Sequence, residues 1–387
     1  MKICIIANGY PSKREPQWGC FERDQALALK GLGHEVSIMY IDRRFRKYWR
    51  KIGITKKKEL SLSIYGMFYI PLGWLRDKVS YRLHQQLIMN LYVKLFKEYV
   101  KDHGNPDVIY AHYVWNIAYV SKIKDKYHIP LVGIEHWSGL TKESLPPLGR
   151  YWGEIAYSHT DKLLAVSKSL QSHIKRHFGK DSIVVYDMLG QEFISPKVLK
   201  IEKNDFYKGG NFFFLSIGTL IQRKGFDVLI SAFAKSNLAS KGCKVIIVGD
   251  GPEKNKLLKQ ANESGITEFV SLAGKKTKEE IIGIISESHA FVLSSRAETF
   301  GVVCIEALSQ GLPNISTACG GPEEFITDKN GLLIPTNDID AMAKAMCQMY
   351  ENYTKYDRSI IANDCISRFS PKVIASQLTE IFKEVTI

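Results

Sequence analysis

The stretch that decides the fold is Ala290-Phe-Val-Leu-Ser-Ser-Arg-Ala-Glu298-Thr-Phe-Gly-Val-Val-Cys-Ile-Glu306-Ala-Leu-Ser-Gln-Gly-Leu-Pro313. Its apolar start, residues 290–294, predicts a buried strand, and residues 302–310 predict a helix that the following Gly-Leu-Pro ends. A strand, a tight turn and a helix in this order are typical of an α/β sheet, where ligands bind at the carboxyl ends of strands. We therefore expect Glu298 at the ligand-binding edge of the sheet, and Glu306 more than one turn further along the helix.

The two carboxylates and the helix start between them suit a ligand that carries both hydroxyls and phosphate. A carboxylate accepts charge-assisted hydrogen bonds from sugar hydroxyls, and the N–H groups of a helix start favour an anion. A nucleotide sugar contains both groups. Glutamates are common on helices, so the spacing of Glu298 and Glu306 is not sufficient to identify such a ligand. The neighbouring motifs provide the further evidence.

Length and composition favour a globular protein with two domains. The chain has 387 residues, of which 45% are hydrophobic and 24% are charged. No apolar run approaches the roughly 18 residues of a membrane-spanning helix, and the apolar start of the chain is too short for a signal peptide. Seven scattered cysteines without a C-x-x-C motif indicate a reducing cytoplasm, with neither structural disulfides nor a zinc site.

The positive charge is concentrated in the first half of the chain. Residues 1–195 contain 30 Lys and Arg against 18 Asp and Glu, and the remaining residues contain 23 against 22, within a net charge of +13. A basic half beside a neutral half indicates that one domain meets an anionic partner, whether nucleic acid, a phosphorylated acceptor or a lipid surface.

The densest basic segment is residues 43–58, with nine basic and no acidic side chains. If residues 43–52 are helical, three aromatic side chains and an isoleucine share one face, which is typical of a segment lying on anionic lipid. A solvated loop whose aromatic side chains tuck into the domain is the alternative, and the sequence leaves both open. The side chains that we assign to an anionic surface are Arg43, Arg44, Arg46, Lys47, Trp49, Arg50 and Lys51.

Strands alternate with helices along both halves, which predicts two parallel, doubly wound sheets in Rossmann-like domains that face each other across a cleft. The predicted strands cover residues 2–7, 36–41, 107–111, 131–134 and 162–166, then 212–217, 244–248, 269–273, 290–294 and 314–316. The predicted helices cover residues 21–32, 81–101, 226–234, 253–263, 279–288, 302–310 and 372–385. The polar stretch 190–210 separates the halves, giving domains at residues 1–195 and 205–370. The last helix has an apolar stripe and needs a surface to cover.

Further glycine turns in the second half suit a phosphate ligand. The first, in residues 215–227, follows a strand and precedes the adjacent cations Arg223 and Lys224. Paired cations beside a turn form a site for a diphosphate and balance the charge that develops on a leaving nucleoside diphosphate. The turns 248–252 and 319–323 are also rich in glycine, which permits close approach of a ligand to the backbone.

Taken in order, these motifs resemble the donor domain of retaining glycosyltransferases of family 4, which have the GT-B fold. The matching residues are Gly218-Thr-Leu with Arg223 and Lys224, Val248-Gly-Asp-Gly-Pro252, Glu298 and Glu306 with Phe300-Gly301, and Gly320-Gly-Pro-Glu323 followed by Asn330-Gly-Leu-Leu333. The resemblance spans nearly the whole chain. It implies that the first domain binds the acceptor, that the second binds the nucleotide sugar, and that the final helix, residues 371–387, packs back on the first domain.

The resemblance also implies roles for individual residues. Arg223 and Lys224 hold the diphosphate, Glu306 binds the ribose, and Glu298 holds the donor sugar and contributes to catalysis. The base lies near the turn at Lys275. The complete set of donor-binding residues is Gly218, Arg223, Lys224, Lys275, Glu298, Thr299, Phe300, Gly301 and Glu306.

The first half matches the family less completely. Its opening, with Gly19, is similar, but Cys20 stands where many members have a second glycine, so close backbone approach there is in doubt. His112 and His136 each follow an apolar strand, which places both at carboxyl strand ends. The sequence around His136 resembles the family's histidine motif, so we assign His136 to catalysis near the acceptor and His112 to the acceptor side. From the residues alone, a strand-end cap is the simpler interpretation of either histidine.

The function that the sequence favours is transfer of a hexose or related sugar from a UDP- or GDP-sugar to a hydroxyl, with retention of configuration. Because the paired cations Arg223 and Lys224 can stabilise the leaving diphosphate, we expect neither a metal nor another cofactor. The basic first half favours a lipid-linked saccharide acceptor in surface polysaccharide assembly: capsule, exopolysaccharide or lipopolysaccharide. We therefore predict a cytoplasmic protein bound peripherally to the inner face of the plasma membrane, without a nucleic-acid partner.

Three other functions fit parts of the pattern. A nucleotide-sugar epimerase of the same fold would bind a similar donor but need no acceptor. A glycosidase also uses a pair of carboxylates, but it needs no paired cations at a diphosphate turn. A nucleic-acid-binding protein would account for the charge, but it leaves the neutral second half unexplained.

Overall fold

The computed structural model of the chain describes residues 1–42, 51–70, 78–194 and 212–386. They form two compact units, the first comprising Met1–Tyr186 with Pro371–Ile387 and the second Asp187–Ser370. Each unit has one β-sheet with helices between its strands. The predicted α/β class with two Rossmann-like domains is therefore confirmed.

The first unit has an eight-stranded sheet. Its strands are β1 (Lys2–Ile6), β2 (Glu35–Asp42), β3 (Gly53–Glu59), β4 (Leu62–Phe68), β5 (Val108–His112), β6 (Leu131–Glu135), β7 (Lys162–Ala165) and β8 (Ile183–Val184). They lie in the order β3-β4-β2-β1-β5-β6-β7-β8, and all pairs are parallel except β3 with β4. Its inner strands, such as β5, are buried along their whole length, as expected for a parallel sheet covered on both faces.

Six α-helices lie among the described residues of this unit. They are α1 (Cys20–Gly31), α2 (Lys78–His103), α3 (Val114–Tyr127), α4 (Pro147–His159), α5 (Lys168–Phe178) and the final helix, numbered α12 (Pro371–Thr386). Helix α12 buries its apolar stripe within the first unit, where Phe382 contacts Tyr110 at a ring-centroid distance of 5.1 Å. Its Thr379 hydroxyl also lies 2.9 Å from Nε2 of His34. The surface that this stripe needs to cover is thus provided by the first unit.

The second unit has a six-stranded parallel sheet. Its strands are β9 (Phe213–Ile217), β10 (Lys244–Val248), β11 (Val270–Gly274), β12 (Ala290–Leu293), β13 (Asn314–Thr317) and β14 (Gly331–Ile334). Its helices are α6 (Phe226–Lys235), α7 (Lys254–Glu263), α8 (Lys278–Ser286), α9 (Val302–Ser309), α10 (Ile339–Asn352) and α11 (Arg358–Phe369). The core between sheet and helices is formed by fully buried side chains such as Phe214, Phe233 and Met346.

The order of strands in each sheet determines where a ligand can bind. The second sheet has the order β11-β10-β9-β12-β13-β14, so the chain reverses direction across the sheet between β9 and β12. In the first sheet the corresponding reversal lies between β1 and β5. Helices leave such a point on opposite faces and open a crevice at the carboxyl ends of the two strands. The motifs after β9 and β12 therefore meet at one place.

The predicted strands agree with the structure to within about two residues at each end, but several elements were missed. The missed elements are β3, β4, β8, β14, α3, α4, α5, α10 and α11. Strand β3 is largely exposed and consists mainly of polar residues, so its sequence carries no apolar alternation. It forms because β4 is available to pair with it.

The basic segment 43–58 is only partly described. The predicted helix and its residues Arg43, Arg44, Arg46, Lys47, Trp49 and Arg50 lie outside the described residues. Lys51 and Ile52 are described, exposed and not helical, so the helix that the sequence left as one of two possibilities does not extend to residue 52. From Gly53 onward the chain pairs with β4, so the end of the basic segment, residues 53–58, has an extended backbone.

Candidate active site

Glu298 and Lys224 meet at the point where the second sheet reverses its strand order. Nζ of Lys224 lies 2.5 Å from Oε1 of Glu298, and the Lys224 and Glu298 side chains are 15% and 8% exposed. A guanidinium nitrogen of Arg223 lies 3.5 Å from the other carboxylate oxygen. The sequence indicates that these residues share an edge of the sheet, but not that they form an ion pair, because the partners are 74 positions apart.

Ser295 and the backbone of Ala297 complete the surroundings of this ion pair. The Ser295 hydroxyl donates a hydrogen bond of 2.6 Å to Oε1 of Glu298. Arg223 donates one of 2.8 Å to the carbonyl of Ala297. A carboxylate that accepts from an ammonium and a hydroxyl is held in one orientation. Ser295 was missed by the sequence analysis; its only signal is its position between a buried strand and Glu298.

The turn that carries the two cations is fastened to the end of β12. The Arg296 N–H donates to the carbonyl of Arg223 at 2.8 Å, and the Ser294 hydroxyl donates to the carbonyl of Lys224 at 3.0 Å. Gly225, with φ of 65°, approaches so closely that an added Cβ would lie 2.0 Å from the carbonyl oxygen of Ser294. The positions of Arg223 and Lys224 are therefore set by backbone contacts across the sheet reversal.

Arg296 also fastens the turn through its side chain. Its guanidinium donates two hydrogen bonds, of 3.0 and 2.7 Å, to the carboxylate of Asp227, and it also donates to the carbonyl of Gln222. The pair lowers the pKa of Asp227 against the opposing effect of burial. Sequence reasoning missed this pair because 69 positions separate its members.

Gly218 lies beside the glycine turn after β10. Its N–H donates to the carbonyl of Val248 at 2.9 Å, and an added Cβ at Gly249 would lie 1.9 Å from the Gly218 carbonyl oxygen. The Gly249 N–H in turn donates to the carbonyl of Gly274. The exposed Lys275 follows directly and so lies near these turns. Gly249 has an evident packing role here, since only glycine permits the contact.

The glycine-rich loop at residues 319–323 encloses the start of the helix that follows Glu298. The Glu298 N–H donates to the carbonyl of Cys319 at 2.8 Å, and the Gly321 N–H donates to the carbonyl of Glu298 at 3.2 Å. An added Cβ at Gly321 would lie 2.3 Å from Cα of Phe300. The loop thus packs directly on the turn between β12 and α9.

The remaining predicted donor-binding residues lie on this turn and helix. Phe300 is buried and packs against Phe325 at a ring-centroid distance of 5.2 Å, so its side chain is a core group, and only its backbone can face a ligand. Gly301, with φ of 102°, begins α9, and Thr299 before it is half-buried. Glu306 lies in the middle of α9 and is also half-buried.

In the first unit the structure brings His112 and His136 into contact. Nδ1 of His112 lies 3.1 Å from Nε2 of His136, and the two rings are nearly parallel. His112 is 1% exposed. Burial lowers the pKa of His112 well below its usual range, and the neighbouring His136 adds to this effect. His112 is therefore neutral at pH 7, and in the pair one ring nitrogen donates to the other.

Glu135 supports the loop that carries His136. Its carboxylate is fully buried and accepts hydrogen bonds from the N–H groups of His136 and Trp137, at 2.9 and 2.8 Å, and from the hydroxyl of Tyr157 at 2.7 Å. Burial raises the pKa of Glu135, and the Tyr157 hydroxyl is the largest of the opposing effects. The carboxylate thus fixes the direction in which the chain leaves β6.

Tyr113 is a residue that sequence reasoning did not single out. It has φ of 70° and ψ of 143°, a strained backbone for a bulky side chain. Its ring lies 5.0 Å from His136 and 5.0 Å from Trp115, measured between centroids. Strained residues of this kind cluster at functional sites. No sequence signal identifies them, because the strain arises only in the folded chain.

Gly19 begins helix α1 and packs on the turn after β1. It has φ of 76°, and an added Cβ would lie 2.2 Å from the carbonyl oxygen of Gly9. Cys20 is buried as the first residue of α1. The backbone of Gly19 therefore does approach another backbone closely, despite the neighbouring Cys20. The approach is to Gly9, which lies in the same loop between β1 and α1.

Two protein families match the two halves of the chain. The family described as Glycosyltransferase Family 4 matches residues 23–186, and the family described as Glycosyl transferases group 1 matches residues 199–364. The chain is a glycosyltransferase of the family 4 and group 1 type. The two matches fall in different structural units, so the first-unit histidines and the second-unit ion pair belong to separate parts of the enzyme.

Curated relatives of this glycosyltransferase include proteins of surface polysaccharide synthesis. It is 24% identical over 91% of its length to a candidate teichuronic acid biosynthesis glycosyltransferase, TuaC of Bacillus subtilis, of which it covers 90%. It is 34% identical over 35% of its length to the lipopolysaccharide core biosynthesis glycosyltransferase LpsE of Rhizobium meliloti, of which it covers 38%. An uncharacterized glycosyltransferase of Methanocaldococcus jannaschii is 27% identical, and the match covers 68% of this chain and 71% of that protein.

Solved structures show the same fold at low sequence identity. Sucrose-phosphate synthase from Thermosynechococcus elongatus has a TM-score of 0.78 at 17% identity, over 99% of this chain and 98% of that one. HepE from Anabaena, solved with UDP-glucose, has a TM-score of 0.71 at 19% identity, over 99% and 100% of the two chains. The glycosyltransferase therefore has the GT-B fold.

The described part of the glycosyltransferase has neither a helix that could span a membrane nor a cluster of metal-ligating side chains. Within residues 1–42, 51–70, 78–194 and 212–386, no helix combines the length and apolarity needed to cross a membrane. The same residues contain no group of three or more His, Cys, Asp or Glu side chains placed to hold a metal ion.

Proposed function

We propose that this glycosyltransferase transfers a hexose or related sugar from a UDP- or GDP-sugar to a hydroxyl of a lipid-linked saccharide, with retention of configuration. The observation that carries the proposal is the Lys224–Glu298 ion pair at the sheet reversal, with Arg223 beside it. The likeness to HepE, which was solved with UDP-glucose, supports a nucleotide-sugar donor. The relatives TuaC and LpsE, named for teichuronic acid and lipopolysaccharide core biosynthesis, support an acceptor in surface polysaccharide synthesis.

The charges of the second-unit cluster suit a diphosphate. Arg223 and Lys224 together carry two positive charges, and Glu298 compensates one of them. Arg223 remains 37% exposed and can turn toward a ligand. A pyrophosphate can replace the Glu298 carboxylate at part of its contact with these cations. It then accepts charge-assisted hydrogen bonds from groups that are already held in place. The carboxylate of Glu298 then accepts hydrogen bonds from the hydroxyls of the donor sugar.

The chemical step that we propose takes place on one face of the sugar. The bond between the anomeric carbon and the diphosphate oxygen breaks, and the acceptor oxygen bonds to the same carbon on the same face. The acceptor proton passes to the departing phosphate oxygen, so no base on the protein is consumed. Lys224 and Arg223 stabilise the charge that develops on the diphosphate, and His136 orients the acceptor hydroxyl.

Turnover assays with a panel of UDP- and GDP-sugars test this proposal. We expect the purified enzyme to release nucleoside diphosphate when a saccharide acceptor is present and to form a product with the donor's anomeric configuration, as read by NMR. A product with the opposite configuration would overturn the retaining mechanism. Formation of a new nucleotide sugar without any acceptor would instead identify an epimerase.

Turnover should not depend on a divalent metal. Arg223 and Lys224 supply preorganised cations for the leaving diphosphate from the protein itself, so we expect the reaction to need no divalent cation. We expect the rate in excess EDTA to remain within about twofold of the rate with added Mg²⁺. Loss of turnover in EDTA, restored by a divalent cation, would contradict this expectation.

Glu306 should determine nucleotide affinity more than turnover. On α9 it is assigned to the ribose hydroxyls, so Glu306→Gln exchanges a charged acceptor for a neutral one and should weaken nucleoside diphosphate binding about tenfold. The measurement is calorimetric titration with UDP and GDP. Glu263→Gln, an exposed substitution on α7 of the same unit, serves as the control. Unchanged affinity in Glu306→Gln would show that the assignment is wrong.

The basic segment should hold the enzyme on anionic lipid. Lys56 is already paired with Glu98 and Asp102, at 2.9 and 2.7 Å, and Lys57 is paired with Glu59, so these lysines contribute little. We expect substitution of the six basic residues between positions 43 and 51 by Gln to abolish flotation with anionic liposomes at physiological salt. A matched control replaces six exposed lysines of the second unit. Equal flotation of both variants would overturn membrane binding through this segment.

A further inference from the structure

The side chain of Arg296 contacts the turn that carries the two cations and also a loop on its other side. Its terminal nitrogens donate to the Asp227 carboxylate at 3.0 and 2.7 Å, and one of them also donates to the Gln222 carbonyl. Its Nε donates to Oδ1 of Asn337 at 2.6 Å. The first two partners are the ends of the cation turn, residues 222–227. One side chain thus connects the carboxyl ends of β9 and β14, which are not neighbours in the sheet.

Two ion pairs join the cation turn to the residues that follow β12. One is Lys224 with Glu298, which is nearly buried, and the other is Asp227 with Arg296. The Arg296 and Asp227 side chains are 26% and 33% exposed. An ion pair with this exposure adds little to stability, but two parallel hydrogen bonds between a guanidinium and a carboxylate have a defined geometry. The second pair is therefore suited to fixing a position.

The two ion pairs respond differently to the diphosphate that we propose as ligand. Pyrophosphate replaces the Glu298 carboxylate at part of its contact with Lys224, so this contact holds the cation turn less firmly in the bound state. The pair of Arg296 with Asp227 contains neither of the two ligand-binding cations, so a ligand bound to them leaves it intact. It can therefore hold the turn when the first pair is exchanged.

Arg296 also contacts the middle of the cation turn. Its backbone N–H donates to the Arg223 carbonyl at 2.8 Å, while its side chain holds the two ends of the turn at Gln222 and Asp227. The turn is thus held at its start, its middle and its end by a single residue. Such a contact restricts both the position and the tilt of the cations.

Only an arginine can make this set of contacts. The guanidinium presents five N–H donors in a rigid plane, whereas lysine has a single nitrogen on a flexible stem. The partners are themselves held in place. Asp227 lies in the first turn of α6, where a carboxylate is favoured, and Asn337 has φ of 58°, a conformation that Asn adopts readily. The geometry, rather than the positive charge alone, therefore distinguishes this position.

We propose that Arg296 is a positioning residue for the donor diphosphate, which holds the cation turn in place while the diphosphate replaces the Glu298 carboxylate beside Lys224. This inference rests on the proposed function and deepens it, because it names a residue that controls the diphosphate site without touching the ligand. Loss of the Arg296 contacts should therefore weaken the nucleotide-bound enzyme more than the ligand-free enzyme, in which both ion pairs hold the turn.

The test compares Arg296→Lys and Asp227→Asn with the wild-type enzyme and with Asp340→Asn. Asp340 is a matched control, because it also lies in the first turn of a helix of the second unit and is paired with a cation, Lys235. The measurements are the Kd of UDP and GDP by calorimetry, kcat and both KM values, and the melting temperature without ligand. Hydrogen exchange of residues 222–227 is followed by mass spectrometry with saturating nucleoside diphosphate.

We expect Arg296→Lys and Asp227→Asn each to weaken nucleoside diphosphate binding and to lower kcat by about tenfold, since small displacements of positioned groups have large effects on rate. Acceptor KM should not change. The melting temperature should fall by no more than about 4 °C, as expected for an exposed ion pair. Hydrogen exchange in the cation turn should become faster in both variants, and Asp340→Asn should match the wild-type enzyme in every measurement.

The outcomes separate this inference from the proposed function. Wild-type affinity and kcat in both variants, with a lower melting temperature, would show a purely structural contact and would leave the glycosyltransferase reaction intact. Wild-type behaviour of Arg296→Lys alone would show that charge suffices, and it would also overturn the positioning role. Weaker nucleotide binding and faster exchange in both variants of an enzyme that transfers no sugar would support the positioning role and contradict the proposed reaction.

Discussion

Replacing Lys224 with Met should lower turnover about 100- to 1000-fold, the loss typical when one preorganised charge-stabilising group is removed. The Lys224 ammonium lies 2.5 Å from Glu298 and is mostly screened from water, so it acts on the leaving diphosphate in a poorly solvated site. Affinity for the nucleoside diphosphate should fall as well. The measurements are kcat and KM for the donor, together with the Kd of the nucleoside diphosphate.

The partner substitution distinguishes catalysis from stability. Glu298→Gln leaves the ammonium of Lys224 without a carboxylate, and removing one partner of a buried pair costs about 3–5 kcal/mol. We expect its melting temperature to fall, and the double variant Lys224→Met with Glu298→Gln to be more stable than Glu298→Gln alone. Both single variants should lose turnover.

Lys235→Met is the matched control for these variants, since Lys235 is an exposed lysine of the same unit paired with Asp340. It should keep wild-type turnover and stability. Wild-type turnover in Lys224→Met would contradict the assignment of this cation to the leaving diphosphate. Simple addition of the two single effects on stability would show that the ion pair is not coupled in the folded protein.

Replacing His136 with Ala should lower kcat about 100-fold, at the low end of what a positioned proton-transfer or orienting group contributes. The loss should appear in the chemical step because His136 is assigned to the acceptor hydroxyl. Donor affinity should not change, since the donor groups belong to the second unit. The measurements are kcat with saturating acceptor and donor affinity by titration.

His128→Asn is the matched control for this prediction. His128 is exposed in the same unit and has φ of 52°, a left-handed conformation that Asn adopts readily. It should keep wild-type kcat. If His136→Ala also keeps wild-type kcat, the contact with His112 is a structural cap at the strand ends, the simpler interpretation that the sequence left open.

Most of the elements that carry the site could be predicted from local patterns. The apolar runs that became β9, β10 and β12 are buried on both faces, and continuous apolar runs between glycine turns predict such strands. Strand β3 could not be predicted in this way, because its Lys-rich sequence forms a strand only beside β4. Helix α9 was predicted to within one residue of its end.

The site itself was only partly predictable. The positions of Glu298 and Lys224 after two strands indicated a shared edge, and their motifs indicated a diphosphate ligand. Three contacts depend on which strands lie next to each other. They are the Lys224–Glu298 ion pair, the hydrogen bond from Ser295 to Glu298, and the Arg296–Asp227 salt bridge. In the first unit, the contact between His112 and His136 depends in the same way on the pairing of β5 with β6.

The sequence by itself determined the α/β class, the glycine turns at strand ends and the family of the enzyme, because these follow from residue types over short distances. Only the tertiary structure decided that Lys224 neutralises Glu298 and that His112 is buried against His136. The reason is physical. Strand order places residues that are far apart in the chain within hydrogen-bond distance. Burial then determines how strongly their charges interact.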